Sequence, residues 1–234
     1  MRKKRILFCT EATFLHTGYA KYSKEVLHYL HETGKYDIAE YSAYGQDDDP
    51  RHVSTPWKTF GVMPKNDDYK NIEKYKSNIR GQFGGFSFER VCLEFQPDIV
   101  CDIRDYWMVE FAYKSPFRNF FKWALMPTVD ATPQAKEWIA AYANADACFS
   151  YSDWSGEILT KQSGGKVNYL GSAPPSASQE YQPMNKDEIK HSHGIDPNTK
   201  IIGTVMRNQR RKLYPDLFVS FKKFLAKVDN PNEY

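Results

Sequence analysis

The chain has 234 residues, of which 41% are hydrophobic and 26% charged, and this balance excludes a largely disordered protein. The formal net charge of +3 excludes a broadly basic nucleic-acid coat, so any affinity for an anion must be local. No apolar stretch approaches the length of a membrane span. The length fits one large domain, or one domain plus part of another.

The cysteines and the N-terminus predict a cytoplasmic protein. Four cysteines lie in apolar runs and form no C-x-x-C pair, so we expect buried, reduced thiols: Cys9, Cys92, Cys101 and Cys148. The N-terminus starts with basic residues, as a signal peptide does, but Thr10 and Glu11 interrupt its apolar run too early for one. The basic start fits either a solvated segment or a contact with anionic lipid.

The chain opens with a strand, a helix and a second strand. RILFCT (5–10) is a short apolar run that ends in polar residues, which predicts a buried parallel strand. Residues 19–34 carry apolar side chains at helical spacing and end at Gly34, so they predict a helix. YDIAEYSAY (36–44) predicts the next strand, and the polar stretch 45–65, punctuated by proline and glycine, is typical of a loop.

Strands and helices continue to alternate up to residue 171. We expect helical segments at 67–80, 86–95, 133–145 and 152–162, with a helical or looped aromatic stretch at 106–122. We expect strands at 97–105, 123–133, 146–153 and 164–171, some of them ending in polar loops. This order predicts an α/β fold with a Rossmann-like, doubly wound parallel sheet. In such sheets ligands bind at the carboxyl ends of the strands, here the loops 11–18, 104–107, 128–133 and 151–155.

The composition changes at GSAPPSASQEYQP (171–183), where helical and strand periodicity is lost. We therefore divide the chain into a Rossmann-like domain, a linker with a short helix, and the start of a second Rossmann-like domain: 1–171, 172–198 and 199–234. In the last part TKIIGTVM (199–206) predicts a buried strand and residues 214–228 predict a helix. One strand and one helix cannot bury a core, so we expect a domain that continues beyond Tyr234 rather than a docked unit.

RNQRRK (207–212) places four cations within six positions, between the predicted strand and the predicted helix. Arg207 and Lys212 bracket this loop, so a planar guanidinium and a compact ammonium are positioned to hold one diphosphate. The start of the following helix adds backbone N–H donors. A solvated basic loop is the alternative interpretation, and it fits Arg210 and Arg211.

Two residues of the ligand-face loops are candidates for chemistry. Gly18 lies where the first strand gives way to its helix, where a glycine lets the backbone approach a ligand, although a plain loop glycine fits equally. Asp130 ends a strand in the predicted cleft, as a general base, a hydroxyl acceptor or an electrostatic stabiliser, or as a turn or cap residue before Pro133. The other candidates line a possible acceptor cleft: His16, Thr17, Asp105, Tyr106 and Ser152.

Cofactor and metal motifs are absent from the sequence. HTGYA is not a G-x-G-x-x-G motif, so no nicotinamide or flavin is indicated, and H-E-x-x-H, Walker and G-x-S-x-G motifs are missing. Neither His28 with His31 nor His191 with His193 has an evident third ligand, so both pairs are interpreted as surface histidines. We therefore expect no metal site and no cofactor.

The order of these parts resembles the GT-B glycosyltransferases, in particular the GT4 group (glycosyl transferases group 1). RILFCT with its glycine loop resembles the opening of that family, and DACFSYSDWSGEIL resembles its aspartate–strand–serine–helix passage. NYLGSAPPSASQEYQP is similar to its interdomain linker. IIGTVMRNQRRKLYPDLFVSF, the most specific part, is similar to the first strand, phosphate-gripping loop and first helix of its C-terminal domain.

The resemblance implies transfer of a sugar, with retention, from a nucleotide-sugar donor to an unidentified acceptor, without a cofactor or metal. It implies that Arg207 and Lys212 hold the donor diphosphate and stabilise the leaving nucleotide, whose charge grows in the transition state. It places Gly18 near the donor phosphate and the acceptor. Asp130 falls near the position where many members carry a histidine beside the reacting sugar, and the acidic residue departs from that pattern.

The glutamate pair of the family, E-x7-E, has no counterpart after the Arg/Lys loop. Glu180 with Glu188, and Glu32 with Glu40, have the spacing but precede the loop, so both are coincidences of composition. We therefore expect this pair and the base pocket on a longer or second chain. Two alternatives are a non-catalytic binding module that lacks the donor half-site, and a nucleic-acid binder, which the core-like spacing of the aromatic residues disfavours.

Overall fold

The computed structural model describes residues 2–177 and 181–233, with Asn232 described by its backbone alone. Glu180, which has the E-x7-E spacing with Glu188, lies outside the described residues. The chain divides into two compact units, Met1–Ser176 and Ala177–Tyr234.

The first unit is built on a seven-stranded sheet in which all neighbouring strands run parallel. In chain order the strands are β1 (Lys4–Glu11), β2 (Tyr36–Gln46), β3 (Lys58–Met63), β4 (Ile99–Asp102), β5 (Lys122–Leu125), β6 (Ala147–Ser150) and β7 (Tyr169–Ser172). Their spatial order is β3-β2-β1-β4-β5-β6-β7. The predicted Rossmann-like α/β sheet is thereby confirmed, and its order reverses between β1 and β4, the switch point at which such sheets bind ligands.

Helices connect these strands and cover the sheet. Those of the first unit are α1 (Gly18–Glu32), α2 (Tyr69–Ser77), α3 (Phe88–Phe95), α4 (Tyr106–Lys114), α5 (Lys136–Tyr142) and α6 (Asp153–Gln162). Strand β3 lies inside the polar stretch 45–65, where the composition is typical of a loop. It is an edge strand that pairs only with β2, so its residues need less apolar character than those of a central strand.

The core lies on both faces of the sheet because alternate strand residues point in opposite directions. In β1, Leu7 and Cys9 join the larger cluster, which includes the fully buried Trp123, whereas Phe8 joins the smaller cluster with Leu27 of α1. The four cysteines are free thiols, three buried and one half-buried. Burial raises the pKa of the Cys9 thiol well above its usual value, so this thiol stays protonated.

The second unit contains α7 (Lys186–Ser192) and α8 (Tyr214–Leu225). The strand predicted at 199–206 is wrong, because residues 199–209 form neither helix nor strand. A strand requires a neighbour to receive its backbone hydrogen bonds, and the described residues of this unit form no other strand. In the same described residues no side chain is buried, so the apolar face of α8 remains accessible. The helix predicted at 214–228 does form, as α8.

Candidate functional site

Tyr19, in the first turn of α1, joins two further loops at the carboxyl edge of the sheet. Its hydroxyl oxygen lies 3.0 Å from Oδ1 of Asp105, after β4, and 2.8 Å from Oγ1 of Thr128, after β5. A carboxylate only accepts, so the Tyr19 hydroxyl donates to Asp105 and accepts from Thr128. These bonds hold the N-terminus of α1 at the switch point between β1 and β4.

Replacing Tyr19 by phenylalanine tests this junction. Burial, with the charge of Asp105, raises the pKa of the Tyr19 hydroxyl to about 12. Since this pKa exceeds the usual value of about 10, the hydroxyl stabilises the fold fully below pH 10 and loses that effect as the pH rises through 12. Tyr19→Phe should therefore lower the free energy of unfolding by about 1–2 kcal/mol at neutral pH.

The same variant should show a shallower loss of stability between pH 10 and 12 than the wild-type protein, as measured by urea titrations at a series of pH values. The other buried tyrosines are common to both proteins, so the difference between the two profiles isolates Tyr19. Identical profiles would show that the Tyr19 hydroxyl is not held by Asp105 and Thr128.

The N-terminus of α1 is open to a ligand. The Thr17 side chain caps the helix by accepting from the backbone N–H of Ala20 at 3.3 Å. Gly18 and His16 are exposed, and a Cβ atom at Gly18 would meet no atom within 4 Å. The first turn carries no acidic side chain, so no carboxylate of the helix itself offsets the positive end of the helix dipole, which favours an anion.

A fully buried carboxylate fixes the loop between β1 and α1. Oε1 of Glu40, on β2, accepts from the Thr13 backbone N–H at 2.9 Å and from the Ser42 hydroxyl at 2.7 Å. Its Oε2 accepts from the Thr13 hydroxyl at 2.7 Å and from Nε1 of Trp57 at 3.0 Å. Four donors compensate the loss of water around this carboxylate, and two of them belong to the loop that leads to α1.

A buried ion pair fixes the loop after β4. Arg104 Nη2 lies 2.6 Å from Asp102 Oδ2, with both side chains inaccessible to solvent, and Arg104 Nε donates to Oδ1 of the same carboxylate at 2.9 Å. Arg104 Nη1 donates to the Phe83 carbonyl at 2.9 Å. Burial opposes the charge, yet the Asp102 carboxylate holds the pKa of Arg104 above its usual range. The pair sets the position of Asp105, the next residue.

The segment after β5 presents Asp130 to solvent between two fixed carbonyl groups. The Val129 carbonyl accepts from the Ser155 hydroxyl at 3.0 Å, and the Ala131 carbonyl accepts from Gln134 Nε2 at 2.7 Å. Asp130 is exposed, and so is Ser152, whose side chain caps α6 by accepting from the Ser155 backbone N–H at 3.2 Å. Asp130 and Ser152 therefore lie on adjoining loops of the same edge.

The structure brings most of the predicted cleft residues to one edge but not Tyr106. This ring is buried in the core, with its centroid 5.8 Å from those of both Trp138 and Tyr142. In contrast, Tyr19, Thr128 and Glu11 did not stand out in the sequence. The only sequence feature that could have indicated them is their position, because each is a polar residue near the end of an apolar strand or at the start of a helix.

The second unit carries the basic cluster. Residues Arg210–Lys212 form a short 3-10 turn, and Leu213, in the left-handed conformation, leads into α8. Arg207 is exposed and Lys212 is half-buried. Neither forms an ion pair with another described residue, so both charges are available to an anion.

Two surface cavities lie away from this edge. One is between α2 and α3 and includes Tyr75 and Arg90. The other, at the opposite edge of the sheet, includes Asp98 and Asp146, whose carboxylates already pair with Lys or Arg side chains. Among the described residues there is no group of three or more metal-ligating side chains, and no helix is long and apolar enough to cross a membrane.

Comparison with known proteins shows a likeness of fold. No protein-family model and no curated protein sequence matches the chain. Sucrose-phosphate synthase from Thermosynechococcus elongatus aligns with a TM-score of 0.63 and 12% sequence identity, over 96% of this chain and 59% of that chain. At this identity the likeness shows a shared fold, and the chain spans 59% of the length of the synthase.

Two further structures align with TM-scores of 0.46, which are too low to support an argument. One is the glycotransferase of kitacinnamycin, at 11% identity over 98% of this chain and 64% of that chain. The other is UDP-GlcNAc 2-epimerase from Neisseria meningitidis bound to UDP-GlcNAc, at 14% identity over 73% of this chain and 46% of that chain. What the comparisons show is therefore the Rossmann-like architecture that the chain shares with sucrose-phosphate synthase.

Proposed function

We propose that the chain is a glycosyltransferase, or part of one, that transfers a sugar from a nucleotide-sugar donor to an acceptor. The observation that carries the proposal is the open N-terminus of α1 at the switch point, which Tyr19 ties to Asp105 and Thr128. Phosphorylated ligands bind at such helix ends, and α/β sheets place ligands at this edge. The shared architecture with a sugar-transferring enzyme supports the same function.

In this proposal each unit supplies one set of contacts. The first unit holds the acceptor with His16, Thr17, Asp105 and Ser152, and Asp130 accepts a hydroxyl hydrogen bond or stabilises charge at the reacting sugar. Transfer proceeds with retention, as in the GT4 group, in the cytoplasm and without a metal or cofactor.

The second unit supplies the donor contacts in the proposal. Arg207 and Lys212 bind the donor diphosphate and stabilise the charge that develops as the nucleotide leaves, because cations aimed at a departing anion lower the barrier. Arg210 and Arg211 remain solvated. The half-buried position of Lys212 beside the start of α8 supports this assignment, since partial burial strengthens an ion contact.

The alternative is a binding module that holds a ligand at the α1 edge without transferring sugar. The observation that favours it is the second unit, whose described residues form no strand and bury no side chain. A donor pocket requires walls around the base and the sugar, and these residues do not build them. A chain that binds nucleotide sugars or neutral sugars but never turns them over would support this alternative.

The donor proposal is tested by nucleoside diphosphate binding to four single variants, with uridine, guanosine and adenosine diphosphates as probes. Arg207→Ala and Lys212→Ala should each weaken binding by about 10- to 100-fold, since each removes a charge-assisted contact. Arg210→Ala and Arg211→Ala remove the same charge from the same cluster and serve as matched controls. For these variants we expect binding to weaken by less than about 3-fold.

Isothermal titration calorimetry at two salt concentrations measures the loss of affinity in each variant and the dependence of that affinity on salt. Equal losses in all four variants, with affinity that falls steeply as salt rises, would show a general polyanion patch and would contradict the diphosphate site. Absence of binding by the wild-type protein to each of the three probes would contradict it as well.

A further inference from the structure

Glu11, the last residue of β1, is a buried carboxylate that forms no hydrogen bond or ion pair with another described residue. The residue is only 8% exposed, and its Oε2 is buried and accepts from no donor among residues 2–177 and 181–233. Glu40, on the neighbouring strand β2, is also buried but accepts from four donors. Burying a carboxylate without donors costs stability, so an unfilled acceptor of this kind indicates a role that stability does not explain.

Glu11 lies at the edge where ligands bind in this fold. In β1 it points to the same face of the sheet as Leu7 and Cys9, because strand residues alternate. Cys9 pairs with Asp102, so Glu11 lies level with the start of the loop that carries Arg104 and Asp105. Its charge raises the pKa of both the Arg104 guanidinium and the Tyr19 hydroxyl, in agreement with the position of Glu11 at the same edge as the group that Tyr19 forms with Asp105 and Thr128.

The neighbouring cation attracts Glu11 but does not contact it. Arg104 directs its nitrogens to the Asp102 carboxylate and to the Phe83 carbonyl, and it forms no ion pair with Glu11. Asp105 and Glu11 both act on the Tyr19 hydroxyl, Asp105 as its hydrogen-bond acceptor and Glu11 through its charge alone. A carboxylate only accepts hydrogen bonds, so the ligand group that matches Glu11 is a hydrogen-bond donor, and a ligand anion is disfavoured in direct contact with Glu11 itself.

We propose that Glu11 binds the acceptor, by accepting hydrogen bonds from hydroxyl groups of a neutral, polyhydroxylated molecule. The inference rests on the proposed function in one respect, namely that the bound molecule is the acceptor of a sugar transfer. The residues that carry it all belong to the first unit. Water is largely excluded from Oε2, so a charge-assisted hydrogen bond there is worth more than the same bond at the surface. A uronic acid or a sugar phosphate presenting its anion to Glu11 is repelled.

The test compares Glu11→Gln with Glu40→Gln, the same substitution at buried sites on adjacent strands. Glu11→Gln removes a buried carboxylate that no described donor satisfies, and it should raise the melting temperature by about 2–4 °C. Glu40→Gln removes a compensated charge and should lower the melting temperature by about 5–10 °C. A fall in melting temperature for Glu11→Gln, like that of the control, would show a structural carboxylate and overturn the proposal.

Binding of sugars supplies the second readout. Saturation-transfer NMR of the wild-type protein should detect glucose, galactose or mannose, and glucuronate more weakly. Glu11→Gln should weaken binding of the neutral sugars by about 10-fold or more and should reduce the discrimination against glucuronate. Failure of all three neutral sugars to bind, or equal binding by the wild-type protein and the Glu11→Gln variant, would overturn the assignment.

The two proposals fail separately. Binding of neutral sugars that depends on Glu11, without any binding of nucleoside diphosphate, would sustain this inference and contradict the glycosyltransferase. Binding of nucleoside diphosphate that depends on Arg207 and Lys212, without any binding of neutral sugar, would sustain the donor site and contradict the role of Glu11.

Discussion

Replacing Arg104 by methionine should lower the free energy of unfolding by about 3–5 kcal/mol, the largest effect that we expect from a single substitution near the site. The change leaves the Asp102 carboxylate buried without its cation, and it removes the donor to the Phe83 carbonyl. The attraction of such a pair roughly offsets its desolvation, so the loss comes from the stranded charge. Denaturant unfolding measured by circular dichroism gives the value.

The matched control is the double variant Arg104→Met with Asp102→Leu. It removes both charges and keeps apolar volume, so it should recover more than about half of the lost stability. A double variant as unstable as the sum of the two single variants would contradict this account. In that case the pair would contribute as two independent side chains, and not as a coupled unit that positions Asp105.

Replacing Glu40 by glutamine should lower the free energy of unfolding by about 2–4 kcal/mol, although the two side chains have the same shape. The amide NH₂ group faces either the Thr13 backbone N–H or the Trp57 indole N–H, according to its orientation. A hydroxyl group can rotate and accept a hydrogen bond from the amide NH₂ group, but a backbone or indole N–H group can only donate. One buried donor is therefore left unsatisfied in both orientations.

The Glu40→Gln substitution should also loosen the loop before α1, because Thr13, which donates twice to Glu40, lies in that loop. Amide hydrogen exchange should speed up in residues 12–17 of the Glu40→Gln variant more than in β6, on the far side of the sheet. Ser42→Ala, which removes one hydroxyl donor to the same carboxylate, is a milder control with an expected loss of about 1 kcal/mol. Equal stability of the wild-type protein and Glu40→Gln would contradict the four-donor arrangement.

The central strands could be predicted from the sequence and the edge strand β3 could not, for the same physical reason. β1 and β4 are covered on both faces, so their residues form continuous apolar runs that a reader of the sequence recognises. β3 pairs on one side only, and its segment carries Lys58 and Gly61 within a polar stretch. The apolar run at 199–206 has the same pattern as a central strand, but the described residues of the second unit form no strand with which it could pair, and the pattern alone does not reveal that.

The site was predicted at the level of loops but not of contacts. The alternation of elements predicts a parallel sheet, so the loops that carry Gly18, Asp105 and Asp130 were expected at its carboxyl edge, where they lie; the roles of these residues stay predictions. The bonds of Tyr19 reach residues 86 and 109 positions away, and no local pattern encodes such pairs. Tyr106 shows the converse, since a residue at the right position in the chain can turn its ring into the core.

The central position of β1 bears on how the chain is made. β1 is the first of the seven strands to be synthesised, yet Ile6 pairs with Ile38 on one side and with Ile99 on the other. A nascent chain that has reached only β3 therefore carries an apolar strand with one edge open, and such edges recruit other chains. The open edge of β1 is covered only when β4 has been synthesised and pairs with it, and parallel pairing between distant segments is slow. β1, the strand that ends in Glu11, is thus the part of the sheet that most needs protection from aggregation during translation.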